Sequence, residues 1–486
     1  MLTPAEELGL AGLSLASRVR KAFDKIPEPR LAELMRQLHE EATNRHLMYL
    51  RDGKLDTVSL FACPMTVLPD QLSYIHFVTL TIQNALKRLP EIYLENAAAR
   101  ELLRITPDEE RWLLDCWGPS LRDNNPIFGR LDAMIDFISP MWKDSLRFVE
   151  PNLSGIGGLH LVPTSERIIA ELVVPALQEQ DSELHLQLAH DIRELLMQEV
   201  LDHLETLRRP AKHICFVEPK YAGSGPDEQA ALAQYFHDRY QLKVTHADPR
   251  ELSLKGREVY CGGEVVDLVY RDYAVADLLD LEKQGADVKP MKMLFQQNRI
   301  ISGIAAELDQ KSCWEILTDP QFSDYFSSDE RQVFRRHILW TRIVSDRNTV
   351  FPDGQLSNLL ERARRDRETL VLKPNRSYGG TGVVIGPLVD QAEWDAALDK
   401  ALADPERYVL QQLASIPVSE FTVLGPDGIV HTEPFYTVMG FAPSKYGVAI
   451  LARASQKQVI NVAQRGGMCA VLVGRPPGRL RGPSGK

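Results

Sequence analysis

The sequence predicts a mixed α/β (α+β) fold, and three observations carry that prediction. Residues 1 to about 210 have mainly helical periodicity, residues 211 to 310 alternate strand, helix and strand, and the last third is dominated by short strand-like runs. At 486 residues the chain can bury about two to four domains' worth of core, or one continuous catalytic unit. Its 44% hydrophobic and 25% charged residues place it with soluble globular proteins and against the disordered, fibrous and membrane classes.

The opening stretch MLTPAEELGLAGLSLASRVRKAF carries an apolar patch, but Glu6 and Glu7 stand where a signal peptide needs basic residues. An amphipathic first helix is therefore expected. RKAFDKIPEPRLAELMRQLHEEA and LAHDIRELLMQEVLDHLETLRR continue the helical character, and between them LRFVEPNLSGIGGLHLVP reads as a short strand ending in glycines. No apolar run approaches the ~18 residues of a bilayer span, so no membrane partner is expected.

The pattern changes at RRPAKHICFVEP. HICFVEP reads as strand, DEQAALAQYFHDRY as helix, LKVTHADP as strand, and REVYCGGEVVDLVYRD as a hairpin with glycines at its turn. That order predicts a small α/β module with parallel pairing. After helical residues 310 to 345, the runs TLVLKP, GTGVVIG, YVLQQL, FTVLGPDGIV, TEPFYTVMG, GVAILARAS and MCAVLVG predict an antiparallel sheet beside a nucleotide-sized cleft. GRPPGRLRGPSGK reads as a loose tail. The expected divisions are residues 1–124, a helical N-terminal region; 125–210, a metal-binding part; 211–310, a substrate module; 311–475, an ATP-binding part; and 476–486, the tail.

A formal net charge of −11 leaves no basic footprint for phosphate neutralisation, which argues against a nucleic-acid partner. The six cysteines form no C-x-x-C pair, so neither a disulfide framework nor a zinc ribbon is expected, and a reducing, cytoplasmic compartment fits best.

The chemistry-bearing residues are spread widely. The chain has no G-x-x-x-x-G-K-[ST] phosphate loop. In LVLKPNRSYGGTGVVIG, however, Lys373 precedes Gly379, Gly380 and Gly382, which can set an ammonium and several backbone N–H groups along a phosphate chain. In FVEPNL, Glu150 and Asn152 lie two apart in an extended run and share a face; with Asp132 from a neighbouring strand they make an all-oxygen set suited to magnesium. Arg271 of DLVYRDY suits bidentate recognition of a carboxylate or phosphate, or an ordinary ion pair with Asp272. Taken singly, these patterns also describe a glycine hairpin and a solvated strand face.

Their order is more specific. R-x-D, then E-x-N before G-G-L, an α/β module ending Y-R-D, a lysine in LDQKSCWEIL, and K-P-x-R before glycines resembles the eukaryotic glutathione synthases and the glutathionylspermidine synthases. It also resembles the wider group of circularly permuted ATP-grasp ligases, over about residues 125 to 473. The resemblance implies a permuted ATP-grasp fold, with the metal-binding E-x-N ahead of the lysines, and ATP-dependent amide-bond formation through an acyl phosphate. ATP and two magnesium ions are the implied cofactors. A small-molecule carboxylate donor and an amine acceptor (amino acid, short peptide or polyamine) are the implied partners, with a homodimer as the oligomer. A small-molecule kinase and a non-catalytic nucleotide- or peptide-binding protein are the alternatives.

By the same resemblance Asp132, Glu150 and Asn152 hold the metal, and Arg130 stabilises the transferring phosphoryl group. Lys311, Lys373, Asn375 and the loop Gly379, Gly380, Gly382 bind ATP; Gln411 and Gln412 form the hinge at the adenine; Arg453 contacts phosphate or acceptor. Ser154 and Arg271 hold the acyl substrate, and Gly466 and Gly467 belong to a second glycine loop closing over the acceptor. The eukaryotic synthases carry a metal-binding glutamate in the loop after K-P-x-R, where this chain has Ser377, so the third ligand implied is Asp132, as in the glutathionylspermidine branch.

Overall fold

The computed structural model describes residues 2–51, 53–220, 225–377, 380–404, 407–425, 427–457 and 466–475. The expected tail from residue 476 lies outside the described residues. The helix Pro4–Asp24 begins with a capping box in which Glu6 N–H donates to the Thr3 hydroxyl and Thr3 N–H donates to the Glu6 carboxylate at 2.7 Å. Glu6 and Glu7 thus lie in the first turn of the helix. Leu15, Val19, Ala22 and Phe23 form its buried stripe. They join a core with Ile168, Ile169 and Val173 of the helix Leu161–Gln180.

An eight-stranded sheet forms the backbone of the molecule. Its path runs through Leu60–Val67, Gly467–Gly474, Gly447–Ser455, Val430–Ser444, Arg130–Met134 and Arg147–Asn152, with Val418–Leu424 and Leu186–Gln187 paired off that path. Residues from the two ends of the chain therefore share one sheet with the R-x-D and E-x-N strands. The strand Leu60–Val67 departs from the mainly helical reading of the first 210 residues; it pairs in parallel with Gly467–Gly474. Five of its eight residues are buried, on both faces, so the alternation that marks a half-exposed strand is missing from its sequence.

A second sheet, antiparallel throughout, has the order Thr341–Ile343, Tyr408–Gln412, Leu370–Pro374, Val384–Ile385. The strand-like runs from residue 369 onward are thus divided between two sheets where one was expected. A third sheet, Ile300–Ile301, Leu268–Arg271, His213–Val217, Lys243–Ala247, is wholly parallel, as the strand–helix–strand order of this segment predicts. The expected hairpin is cut short. Gly262 and Gly263 turn the chain at φ 59° and 86°, but only Glu264–Val265 returns along Glu258–Cys261, and the fully buried Leu268–Arg271 joins the parallel sheet instead.

Among the described residues no helix is long and apolar enough to cross a membrane.

Candidate active site

The cleft lies between the eight-stranded sheet and the four-stranded antiparallel sheet. On its first wall Arg130–Met134 and Arg147–Asn152 are antiparallel neighbours, with Asp132 opposite Glu150 and Arg130 opposite Asn152. Residues two apart in a strand and residues directly opposite across it share a face. R-x-D and E-x-N therefore become one quartet of side chains aimed the same way. Pro151 between Glu150 and Asn152 leaves the pairing intact, its partner being Leu131.

The quartet is knitted by charge. Arg130 Nε donates to Asp132 Oδ1 at 2.7 Å, and Arg453 Nη2, from the strand Gly447–Ser455, donates to Asp132 Oδ2 at 2.9 Å. Burial works against the Asp132 carboxylate, but the two guanidinium groups outweigh it and hold its pKa below the usual range. Gly440, opposite Asp132 on the next strand, makes room for this triad: a Cβ there would meet Arg130 Cδ at 2.4 Å.

The second wall brings the lysines. Lys373 on Leu370–Pro374 donates from Nζ to Gln411 Oε1 at 2.8 Å. Lys311 donates from Nζ to the Ser377 carbonyl at 2.7 Å and lies 3.2 Å from Glu150 Oε2, spanning the two walls. Burial pushes the Lys373 ammonium down to about 8, against the pull of Glu150. Gly380 lines the cleft beside Thr381, and Gly382 turns the loop at φ 75° close against Pro374. Gly379 lies outside the described residues.

The cavity so formed measures about 320 Å³ and is lined by Arg130, Asp132, Glu150, Asn152, Lys311, Lys373, Gly380, Gln411, Gln412 and Arg453 among others. Its apolar lining includes Val149, Leu339, Val371, Ile385, Leu413 and Ile416, which the motif reading did not single out. The signal was the two-residue period: Val371 and Lys373 share a face of the strand Leu370–Pro374. An apolar slot ending in lysines and carboxylates is the form expected of a pocket for a small amphiphilic ligand.

The geometry gives other residues different work from that expected. Gln411 is fully buried; besides accepting from Lys373, its Nε2 donates to Val149 O and Thr341 Oγ1, both at 2.9 Å. Its amide ties Lys373 to both sheets and is not presented to a base, whereas Gln412 is exposed in the cleft. Asn375 is buried outside the cleft lining, accepting from Ser312 N at 2.8 Å and donating to Gln310 Oε1 at 3.0 Å. It clamps the Lys373 strand to the Lys311 segment.

Arg271 is fully buried away from the cleft, 2.6 Å from Glu307 and donating to the carbonyls of Ser302, Tyr273 and Gly303. Its guanidinium is spent on the protein, and it stands apart from the cleft although it was expected to hold substrate. The alternative ion pair with Asp272 also gives way to Glu307. Ser154 does not line the cleft either; its N–H donates to Asp309 Oδ2 at 3.4 Å. Gly466 and Gly467 are buried, and Gly467 is paired in the sheet opposite Ala454, where a Cβ would strike the Phe61 ring. Neither lines the cleft, and the rest of the expected second lid, residues 464 and 465, lies outside the described residues.

Asp132, Glu150 and Asn152 offer two carboxylates and an amide. Asn152 Nδ2 is buried without a hydrogen-bond partner, so this amide is unsatisfied by the protein. Among the described residues no group of three or more His, Cys, Asp and Glu side chains is placed to hold a metal. An oxygen set of this size fits magnesium, which takes one or two carboxylates and completes its octahedron with phosphate oxygens and water.

No protein-family model matches the chain. A solved glutathione synthetase-like effector, GSS30 from Globodera pallida, superimposes with a TM-score of 0.60 at 12% identity, over 92% of this chain and 98% of that one. The fold is glutathione synthetase-like. D-alanyl-alanine synthetase A from Vibrio cholerae matches over 50% of the chain with a TM-score of 0.25. Curated relatives include the uncharacterized proteins Rv2411c of Mycobacterium tuberculosis, 25% identical over 359 residues, and ML0605 of Mycobacterium leprae, 25% identical over 347. These matches take in 69% and 66% of this chain, and the chain spans 58% and 55% of those relatives' lengths.

Proposed function

We propose that this glutathione synthetase-like chain is an ATP-dependent carboxylate–amine ligase of permuted ATP-grasp order. The observation that supports the reading is convergence: the Arg130–Asp132 and Glu150–Asn152 strands meet Lys311 and Lys373 in one cleft, although more than 200 residues of sequence separate Asn152 from Lys373. The metal-binding strands precede both lysines in the chain, the order expected of the permuted group.

In this reading Lys373 and Lys311 hold the nucleotide phosphates, and the apolar slot of Val371, Ile385 and Leu413 takes the base. Asp132, Glu150 and Asn152 would hold magnesium, which supplies charge neutralisation on the phosphate oxygens. Arg130 of the quartet and Arg453 beside it can stabilise charge building on a transferring phosphoryl group, a reaction in which positioning and electrostatics do most of the work. A carboxylate takes the phosphoryl group, and an amine displaces it to give the amide, ADP and phosphate. Water has to be kept from the acyl phosphate, which it would hydrolyse.

The test is ADP release against a panel of amino acids, dipeptides and polyamines, with mass detection of products. Amide products with ADP support the ligase. A product heavier only by a phosphate overturns it in favour of a kinase. Glu150→Ala should abolish ADP formation; retained turnover would remove Glu150 from the metal site.

A further inference from the structure

Among the described residues none of the side chains lining the cleft comes from the first 124 residues, yet residues 102–109, from the end of the helix Ala97–Leu102 into the first turn of the helix Pro107–Cys116, touch the lysine-bearing segments at three points. Ser312 Oγ donates to Leu102 O at 2.8 Å, and Gln310 Nε2 donates to Arg104 O at 2.9 Å, on either side of Lys311. The third point is an ion pair. Arg376, three residues after Lys373, donates from Nη1 to Glu109 Oε2 at 3.1 Å and from Nη2 to Glu109 Oε1. The Glu109 side chain is only 3% exposed, so its charge is met inside the protein, by Arg376 and by the cap of its own helix.

Arg376 sits between Asn375 and Ser377. Asn375 O accepts from Lys311 N at 3.2 Å, and Ser377 O accepts from Lys311 Nζ at 2.7 Å. Whatever fixes Arg376 therefore fixes both acceptors that seat Lys311. A planar guanidinium gripped in two places on a buried carboxylate fixes orientation as well as distance.

We propose that Glu109 is a positioning residue for nucleotide binding: through Arg376 it anchors residues 375–377 to the N-terminal helices and so sets where the Lys311 ammonium stands. The inference rests on the nucleotide reading of the cleft. It gives the N-terminal region a part in the site.

The test is a double-mutant cycle read by calorimetric binding of magnesium with a non-hydrolysable ATP analogue to the full chain. Glu109 also caps its own helix, accepting Thr106 N–H at 2.7 Å, and glutamine is equally suited to that capping position. E109Q therefore removes the ion pair with little cost to the helix. E109Q and R376Q should each weaken binding about three- to tenfold, and E109Q/R376Q no more than R376Q alone, because the ion pair is already lost in R376Q. R376K, which keeps charge without the bidentate grip, should recover part of the loss. Unchanged affinity in E109Q, or fully additive losses in the double variant, overturns the proposal. Failure of the wild-type chain to bind the analogue instead overturns the nucleotide reading, and this one with it.

Discussion

Lys373 has its ammonium pushed down to about 8 by burial, and it faces the carboxylates of Glu150 and Asp132 along with Lys311. A cation that binds phosphate does so only while protonated. Nucleotide affinity of the free protein should therefore be highest below that pKa and fall as pH rises through it, and Lys373→Arg, which stays charged, should flatten the fall. Titration calorimetry from about pH 7 to about pH 9 reads this directly. A fall of the same size in the arginine variant would assign the effect to another group. Gly440 makes a second prediction at this scale. In Gly440→Ala the new methyl lands on Arg130 and Asp132, and displacing the pair should lower turnover by about 100-fold, while the sheet loses about 1–3 kcal/mol to overpacking in urea unfolding.

At the scale of elements, the parallel sheet is held to the rest of the core by a buried charge. Arg271 ends the strand Leu268–Arg271 and reaches across to Glu307 and to the carbonyls of residues 302 and 303. Removing one partner of such a pair strands the other without water. Glu307→Gln should cost about 3 kcal/mol in urea unfolding, with nucleotide affinity close to wild type, because neither residue lines the cleft. A large loss of affinity with little loss of stability would return Arg271 to the site. The second-sheet strand Leu370–Pro374 depends on neighbours in a different way: Gln411 orients Lys373 and Asn375 closes the strand's end, so two amides read from the sequence as ligand contacts act as the frame of the lysine.

For the whole molecule, the cleft is a seam between two sheets, and contacts already cross it from Gln411 to Val149 O and from Lys311 to Glu150. A ligand that occupies the seam adds to both sheets at once. A magnesium–nucleotide analogue at 100 times its Kd should stabilise the fold by about 2.7 kcal/mol, seen as a higher thermal midpoint, and Lys373→Ala should abolish the shift. An undiminished shift in Lys373→Ala would place the nucleotide elsewhere.

By itself the sequence determined what local chemistry can specify. Glu6 and Glu7 marked a helix start, strand–helix–strand order marked parallel pairing, and the two-residue spacing of E-x-N put Glu150 and Asn152 on one face of a strand. Those signals survive because helix caps, strand alternation and motif spacing act over a few residues. Tertiary structure decided the rest. The strand Leu60–Val67 is apolar on both faces and takes its identity only from pairing with Gly467–Gly474. Arg271, Asn375 and Gln411 carry groups equally able to meet a ligand or the protein, and the choice is made by buried partners far away in sequence. Glu109 and Arg376 are 267 residues apart, and only the folded chain makes them one contact. A buried polar group must be paired, but the sequence does not say with whom.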